Sequence, residues 1–156
     1  MKAVLMRCCV GGGPVRITRL SQLDELVGRY VTGISPETCW EDSNALFRFD
    51  SEAEARAAIH DSYYQRFSPE IDWTQTEVRC MESYPAYSSN LEEAWRVVES
   101  LSDAAHPLQM RKDGAEWVAA FGKLGTASGS TVPIALCLAG LRARGIEAVL
   151  ELDGAE

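Results

Sequence analysis

The sequence predicts an α+β fold in which an antiparallel sheet is sandwiched between helices (α-β-α). Three stretches carry that prediction. PAYSSNLEEAWRVVESL, residues 85–101, sets Leu91, Ala94, Trp95, Val98 and Leu101 on one helical face, with Glu92, Glu93, Arg96 and Glu99 opposite. LQMRKDGAEWVAAF follows and reads as a hairpin about Asp113-Gly114. STVPIALCLAGLRARG, residues 130–145, is a second helix with apolar residues around most of its middle, which marks it as deeply packed. An amphipathic helix needs a flat apolar surface, and the hairpin supplies one.

Taken in order, Ala3–Val10 is an apolar run suited to a strand, broken by Gly11–Gly13 and Pro14. PVRITRL resumes the alternation, so an N-terminal hairpin arm is expected over residues 1–19. The triple glycine is a turn rather than a phosphate cradle, because no Lys-Ser/Thr follows it. Ser21 is expected to cap the next helix with Asp24 at its third position. Leu23, Leu26, Val27, Tyr30 and Val31 form its apolar stripe, and Gly33 ends it.

Residues 34–83 read as an inserted hairpin-helix segment. Trp40 and Ala45–Phe49 flank the turn-like EDSN. Ser51-Glu52-Ala53-Glu54 is a capping box that opens a helix with Ala55, Ile59, Tyr63 and Phe67 at every fourth position, stopped by Pro69. Tyr63 and Phe67 are therefore expected in the core, and Tyr64 and Trp73 nearer the surface. Glu77–Met81 alternates as a short strand.

In the later hairpin a two-residue type I′ turn at Asp113-Gly114 would set Met110 opposite Trp117 and Leu108 opposite Ala119, with Arg111 facing Glu116. One face meets the helix over 90–101. Trp95 and Trp117 are expected to be mostly buried, so that Trp95→Ala costs about 3–5 kcal/mol. Thr131 caps the last helix, Pro133 lies in its first turn, and Gly145 follows Arg142 and Arg144. Cys137 is read as an inert core thiol. IEAVLELD alternates, as an edge strand or a frayed end.

Two of these blocks, LDELVGRYVTG within 21–33 and YSSNLEEAWRVVESL within 84–145, resemble the phage ABA sandwich domain family of small phage-encoded proteins, mostly of unknown function. The resemblance implies an α-β-α sandwich and a viral origin. The arm, most of 34–83 and the tail beyond Gly145 depart from that wording. The expected organisation is a single domain over 1–156, with arm 1–19, insertion 34–83 and core sandwich 84–145.

With 156 residues, of which 46% are hydrophobic, the chain can bury a core, and no apolar run approaches a membrane span. Its start lacks the small-residue cleavage site of a signal peptide. Five cysteines, two of them adjacent at Cys8 and Cys9, give no disulfide framework, which fits reduced thiols in a cytoplasm, here that of the bacterial host. The formal net charge is −8. Residues 1–19 hold Lys2, Arg7, Arg16 and Arg19 with no acid, so the remainder carries 11 basic against 23 acidic residues. Such a body repels nucleic acid and is drawn to basic protein surfaces.

No constellation recommends catalysis. His60 and His106 stand in unlike contexts, no local wording pairs either with a cysteine, and zinc spacings are absent. No catalytic residue, metal or cofactor is expected, and a chelator should leave the melting temperature unchanged. The expected role is non-enzymatic: inhibition of a host protein with a basic surface, such as a CRISPR–Cas or other defence protein. The expected binding surface is Tyr64, Glu70, Asp72, Trp73, Glu77 and Glu82, where exposed rings lie among carboxylates. The alternative is a module that sequesters a nucleotide-type signal through the Gly- and hydroxyl-rich segment Gly122–Thr131 and the basic arm over residues 1–19.

Overall fold

In a computed structural model the described residues are 13–152. Strand β1 (Val15–Ile17) leads into α1 (Leu20–Val27), which closes in a π-helical turn, Gly28–Thr32. Then come β2 (Glu37–Asp42), β3 (Arg48–Phe49), α2 (Glu52–Ile59), α3 (Ser62–Gln65) and β4 (Val78–Ser83). The chain continues through α4 (Leu91–Leu101), β5 (Leu108–Asp113), β6 (Glu116–Phe121) and β7 (Thr126–Gly129), and ends with α5 (Val132–Ala143) and β8 (Ala148–Leu150). The class is α+β, as the sequence predicts, with helices against two three-stranded antiparallel sheets, β3-β2-β4 and β5-β6-β7, and a two-stranded parallel pair, β1-β8. Contacts divide the chain into two units, Pro36–Ser83 and the residues on either side of it.

In the flanking unit, α5 is the central element. It is apolar on every side and buried from Ile134 to Leu141, because it packs on β6 and β7 and also against α1 and α4. Helix α4 thus rests on α5 and on the turn Gly28–Thr32, not on the hairpin as expected. Its buried face is Ala94, Val97, Val98 and Leu101, while Leu91 and Trp95 face out. The expected stripe was turned by one position: Val97 points inward where Trp95 was placed. Trp95 is 49% exposed, so its truncation removes little buried surface. Trp117 is partly buried at the margin of the core.

The hairpin pairs Leu108 with Phe121, Met110 with Ala119 and Lys112 with Trp117. Its loop is therefore Gly114-Ala115, one residue later than expected. Only Gly114 has positive φ, +62°, the pattern of a type II′ rather than a type I′ turn. The pairing slides by two positions, an even number, so the assignment of faces is unchanged. β1 pairs in parallel with β8, which confirms the edge strand and leaves no hairpin partner for Val15–Ile17 among the described residues. The expected strand Ala3–Val10 lies outside those residues.

Ser21 does not cap α1. The Gln22 side chain instead accepts hydrogen bonds from the Thr18 and Arg19 amides, 2.8 and 3.1 Å away. Asp24 turns toward the approach to α4 and accepts from the Ser88 amide at 2.7 Å. At the other end of the helix, a Cβ on Gly28 would lie 2.2 Å from the Tyr84 ring, so only glycine permits this contact. The caps expected at Thr131 and Ser51 are present: their hydroxyls accept from Ile134 N and Glu54 N.

Candidate functional site

In Pro36–Ser83, Asp42 is fully buried and its carboxylate accepts from the amides of Asn44, Leu46 and Phe47. That clasp folds the β2–β3 loop and directs Phe47 inward. Glu41 beside it is also buried, and is met by Arg79 Nε at 2.8 Å and Arg48 Nε at 3.5 Å. Both carboxylates are satisfied locally, and their role is to hold the hairpin.

The helix expected from Ser51 to Pro69 breaks at His60. Asp61 then starts α3 as a new cap, its Oδ1 accepting from Tyr63 N at 2.8 Å. The break resets the helical phase, and the aromatic assignments reverse. Tyr64 turns inward between Phe47 and Phe49, with ring centroids 5.3 and 5.7 Å away. Trp73 is 8% exposed, stacks on Phe47 and donates from Nε1 to the Ser68 carbonyl at 3.1 Å. Tyr63 and Phe67, expected in the core, are 51% and 58% exposed. Arg66 lies 4.3 Å from the Tyr63 ring centroid and covers part of that surface.

The six residues expected to bind a partner therefore separate. Glu70, Asp72, Glu77 and Glu82 are exposed, as expected. Trp73 is a core residue and Tyr64 is half-buried. Asp72 caps the turn Trp73–Gln75 through Thr74, and this turn is what swings Trp73 inward. One signal in the sequence marks the break: Asp61-Ser62, residues that favour a helix start, fall in the middle of the presumed helix.

The flanking unit presents a different surface. Asn90 caps α4 by accepting from Glu92 N and Glu93 N, at 2.9 and 3.3 Å. A Cβ on Gly140 would sit 2.6 Å from Val97 Cγ1, so glycine on α5 lets α4 approach closely. With the inner face anchored, Leu91 and Trp95 lie one turn apart on the outer face and border a shallow concavity of about 630 Å³. Glu92 and Glu99 flank it, and Glu93 is paired with Arg96 at 2.9 Å. The arrangement is an exposed indole framed by carboxylates on a rigid helix. Sequence reasoning missed it because it assigned Trp95 to the core.

The segment Gly122–Thr131 forms β7 and the entry to α5. Its glycines serve packing: a Cβ on Gly125 would lie 2.5 Å from Ala143 N, and one on Gly129 2.8 Å from Ala135 N. The Gly-rich wording is thus accounted for by strand-on-helix contact. Burial raises the Cys137 thiol far above its usual value, with the Asp24 charge adding to the effect, and keeps it protonated. His60 ends α2, and His106 faces Asp103. The amides of His106 and Ala105 hold the Asp103 carboxyl below the usual range, with the neighbouring His106 ring adding to the effect. Among the described residues, no three His, Cys, Asp or Glu side chains converge as metal ligands, and no helix is long and apolar enough to cross a membrane.

A family model described as Phage ABA sandwich domain matches residues 38–141. That span includes most of the segment 34–83, which was expected to lie outside the family's scaffold, and begins after the helix over 21–33, which was expected to belong to it. The crystal structure of a phage protein from Bacillus cereus ATCC 14579 is 18% identical, over 84% of this chain and 92% of that one, with a TM-score of 0.46. No curated protein matches the chain.

Proposed function

The chain belongs to the Phage ABA sandwich domain family, and from that premise we propose that it is an accessory protein acting by protein binding rather than by catalysis. Its target is a host protein with a basic surface, for which a nucleic-acid-binding defence protein such as a CRISPR–Cas component is the leading candidate. The site of action is the bacterial cytoplasm. The observation that carries this reading is Trp95, half-exposed on a capped and firmly seated helix with Glu92 and Glu99 beside it. A Trp ring that loses its water on contact supplies much of a hot spot's binding energy, roughly 2 kcal/mol or more. Carboxylates around it select a basic partner and speed the encounter. Glu70, Asp72, Glu77 and Glu82 add to the negative field of a chain whose formal net charge is −8.

The test is a paired capture from host lysate with the wild-type chain and with a Trp95→Ala, Glu99→Lys variant, both treated with nuclease. A protein held by the first and lost from the second, with retention falling as salt rises, is the expected result. Capture of the same proteins by both sinks the reading.

A further inference from the structure

Three aromatic rings are exposed among the described residues: Tyr63, Phe67 and Trp95. The chain covers the first two with a cation of its own. The Arg66 guanidinium lies 4.3 Å from the Tyr63 ring centroid and 5.7 Å from that of Phe67. The partly buried Trp117 has the same kind of cover, with Lys112 Nζ 5.6 Å from its ring centroid. The cause is electrostatic: the face of an aromatic ring is negative, and a cation seated on it is attracted. Among the described residues Trp95 has no cation over its ring. Its neighbour Arg96 is turned to Glu93 instead, with Nε 2.9 Å from the carboxylate.

The carboxylates beside the indole are also uncompensated. Glu92 stands three residues before Trp95 and Glu99 four after it, so both flank the ring along one stripe of α4. Among the described residues neither has an ion-pair partner, whereas Glu93 has Arg96. An uncovered ring and two unpaired carboxylates thus border the concavity of about 630 Å³, with Leu91 one turn before the indole.

Resting on the reading of this face as a protein-binding surface, we infer that its occupant is an arginine side chain of the partner. Its guanidinium lies flat on the Trp95 indole, with N–H edges facing Glu92 on one side and Glu99 on the other. A guanidinium is planar and weakly hydrated, so it stacks on a ring and donates from its edge to a carboxylate at the same time. A lysine ammonium is a compact, strongly hydrated charge and gives up more water for fewer contacts. Leu91 offers an apolar floor to the methylene stem. The partner's arginine does at Trp95 what Arg66 does at Tyr63.

The test uses the full chain alone with two charge-matched peptides, acetyl-GRGRG-amide and acetyl-GKGKG-amide. The readout is the indole Nε1–H NMR signal of Trp95, assigned by its loss in Trp95→Ala. The arginine peptide should shift that signal and bind about fivefold tighter than the lysine peptide. In Trp95→Phe the preference for arginine should shrink, since Phe is the weaker ring. Glu92→Gln with Glu99→Gln should weaken both peptides about tenfold while the Trp73 signal and the urea midpoint stay in place. Equal affinity for the two peptides, or a Trp95 signal that neither moves, overturns the inference. So does a signal that moves with protein concentration alone, which marks a second copy as the occupant. The two failures are distinguishable. A host protein lost from capture by Trp95→Ala, with no preference between the peptides, overturns this inference alone. Capture unchanged by Trp95→Ala overturns the protein-binding reading and the inference with it.

Discussion

In Pro36–Ser83 the rings of Phe47, Phe49, Tyr64 and Trp73 pack on one another, whereas in the flanking unit Trp95 stands outside α4 with half its surface open. The contrast follows from what else each unit can bury. The flanking unit has α5, an apolar helix buried along its middle, with Leu23, Val27, Val97 and Phe121 in the same core. It can leave a tryptophan outside without losing that core. The segment Pro36–Ser83 buries only Ala55, Ala58, Ile59 and Trp73 among its apolar residues. Aromatic edges and stacks, with two buried carboxylates, complete its interior. A ring drawn into such a cluster is structural, and a ring on a capped helix without a neighbour of its kind is the better candidate for contact with a partner.

The largest expected effect tests the structural half of that comparison. Trp73→Ala removes a buried ring and the Nε1 bond to Ser68, and should cost about 3–5 kcal/mol. Asp42→Ala leaves the amides of Asn44, Leu46 and Phe47 without their acceptor, and should cost less, about 1–3 kcal/mol. Urea titration followed by Trp fluorescence and by amide exchange of β2 and β4 measures both. If Trp73→Ala kept the wild-type midpoint, the aromatic cluster would not be the core of this unit.

Next is a packing contact in the other unit. Gly28→Ala would push a methyl into the Tyr84 ring, displacing it from its bond with Arg29 Nε at 3.2 Å. A cost of about 1–3 kcal/mol is expected, the usual range for overpacking. Tyr84→Ala in the same chain should recover much of it, since the clash then has no partner. Additive losses in the double variant would place the strain elsewhere.

These particulars also show which parts of the fold were legible. Helices with caps and regular spacing were largely readable, as Thr131 and Ser51 show, because cap chemistry is local. The face an amphipathic helix buries was harder to read. In α4, Leu91, Trp95 and Val98 fit one stripe and Ala94, Val97, Val98 and Leu101 another, and only the neighbouring Gly140 decides between them. Hairpin faces survived a wrong turn because the error was an even number of residues. The aromatic site was misassigned for one reason: a single cap at Asp61 resets the phase of everything after it, and periodicity carried through the break inverts each assignment. What lies far apart in sequence, such as the pairing of β1 with β8, has no local signature.

A smaller effect tests how the flanking unit treats a polar group. Burial raises the Asp24 carboxyl above the ordinary range of an aspartate, outweighing the hydrogen bonds from Ser88 that pull it down. The folded chain therefore holds this proton more tightly than the unfolded chain. Its contribution is most favourable with the acid protonated, and stability falls as pH rises from about 4 through the folded pKa, then levels. Asp24→Asn keeps an acceptor for the Ser88 amide and removes the titration. The urea midpoint of the variant should decline less with pH in that window than the wild-type midpoint. Parallel curves would show that Asp24 does not titrate differently in the two states.

The smallest expected change in stability belongs to Trp95, and it sharpens the comparison most when set against Trp73. A ring that is 49% exposed, bordered by Leu91 and flanked by Glu92 and Glu99, contributes little to the core beneath it. Ala94, Val97, Val98 and Leu101 hold α4 in place without it, and alanine is a better helix former than tryptophan. Trp95→Ala should therefore shift stability by no more than about 0.5 kcal/mol, the usual bound for surface changes. The same substitution should cost most of the affinity for a captured partner and act mainly on its dissociation rate. Glu99→Lys should instead slow association and reduce its dependence on salt. Trp95→Ala with a loss of several kcal/mol in the urea titration would return the indole to the core. The aromatic surface would then have to be sought at Tyr63 and Phe67.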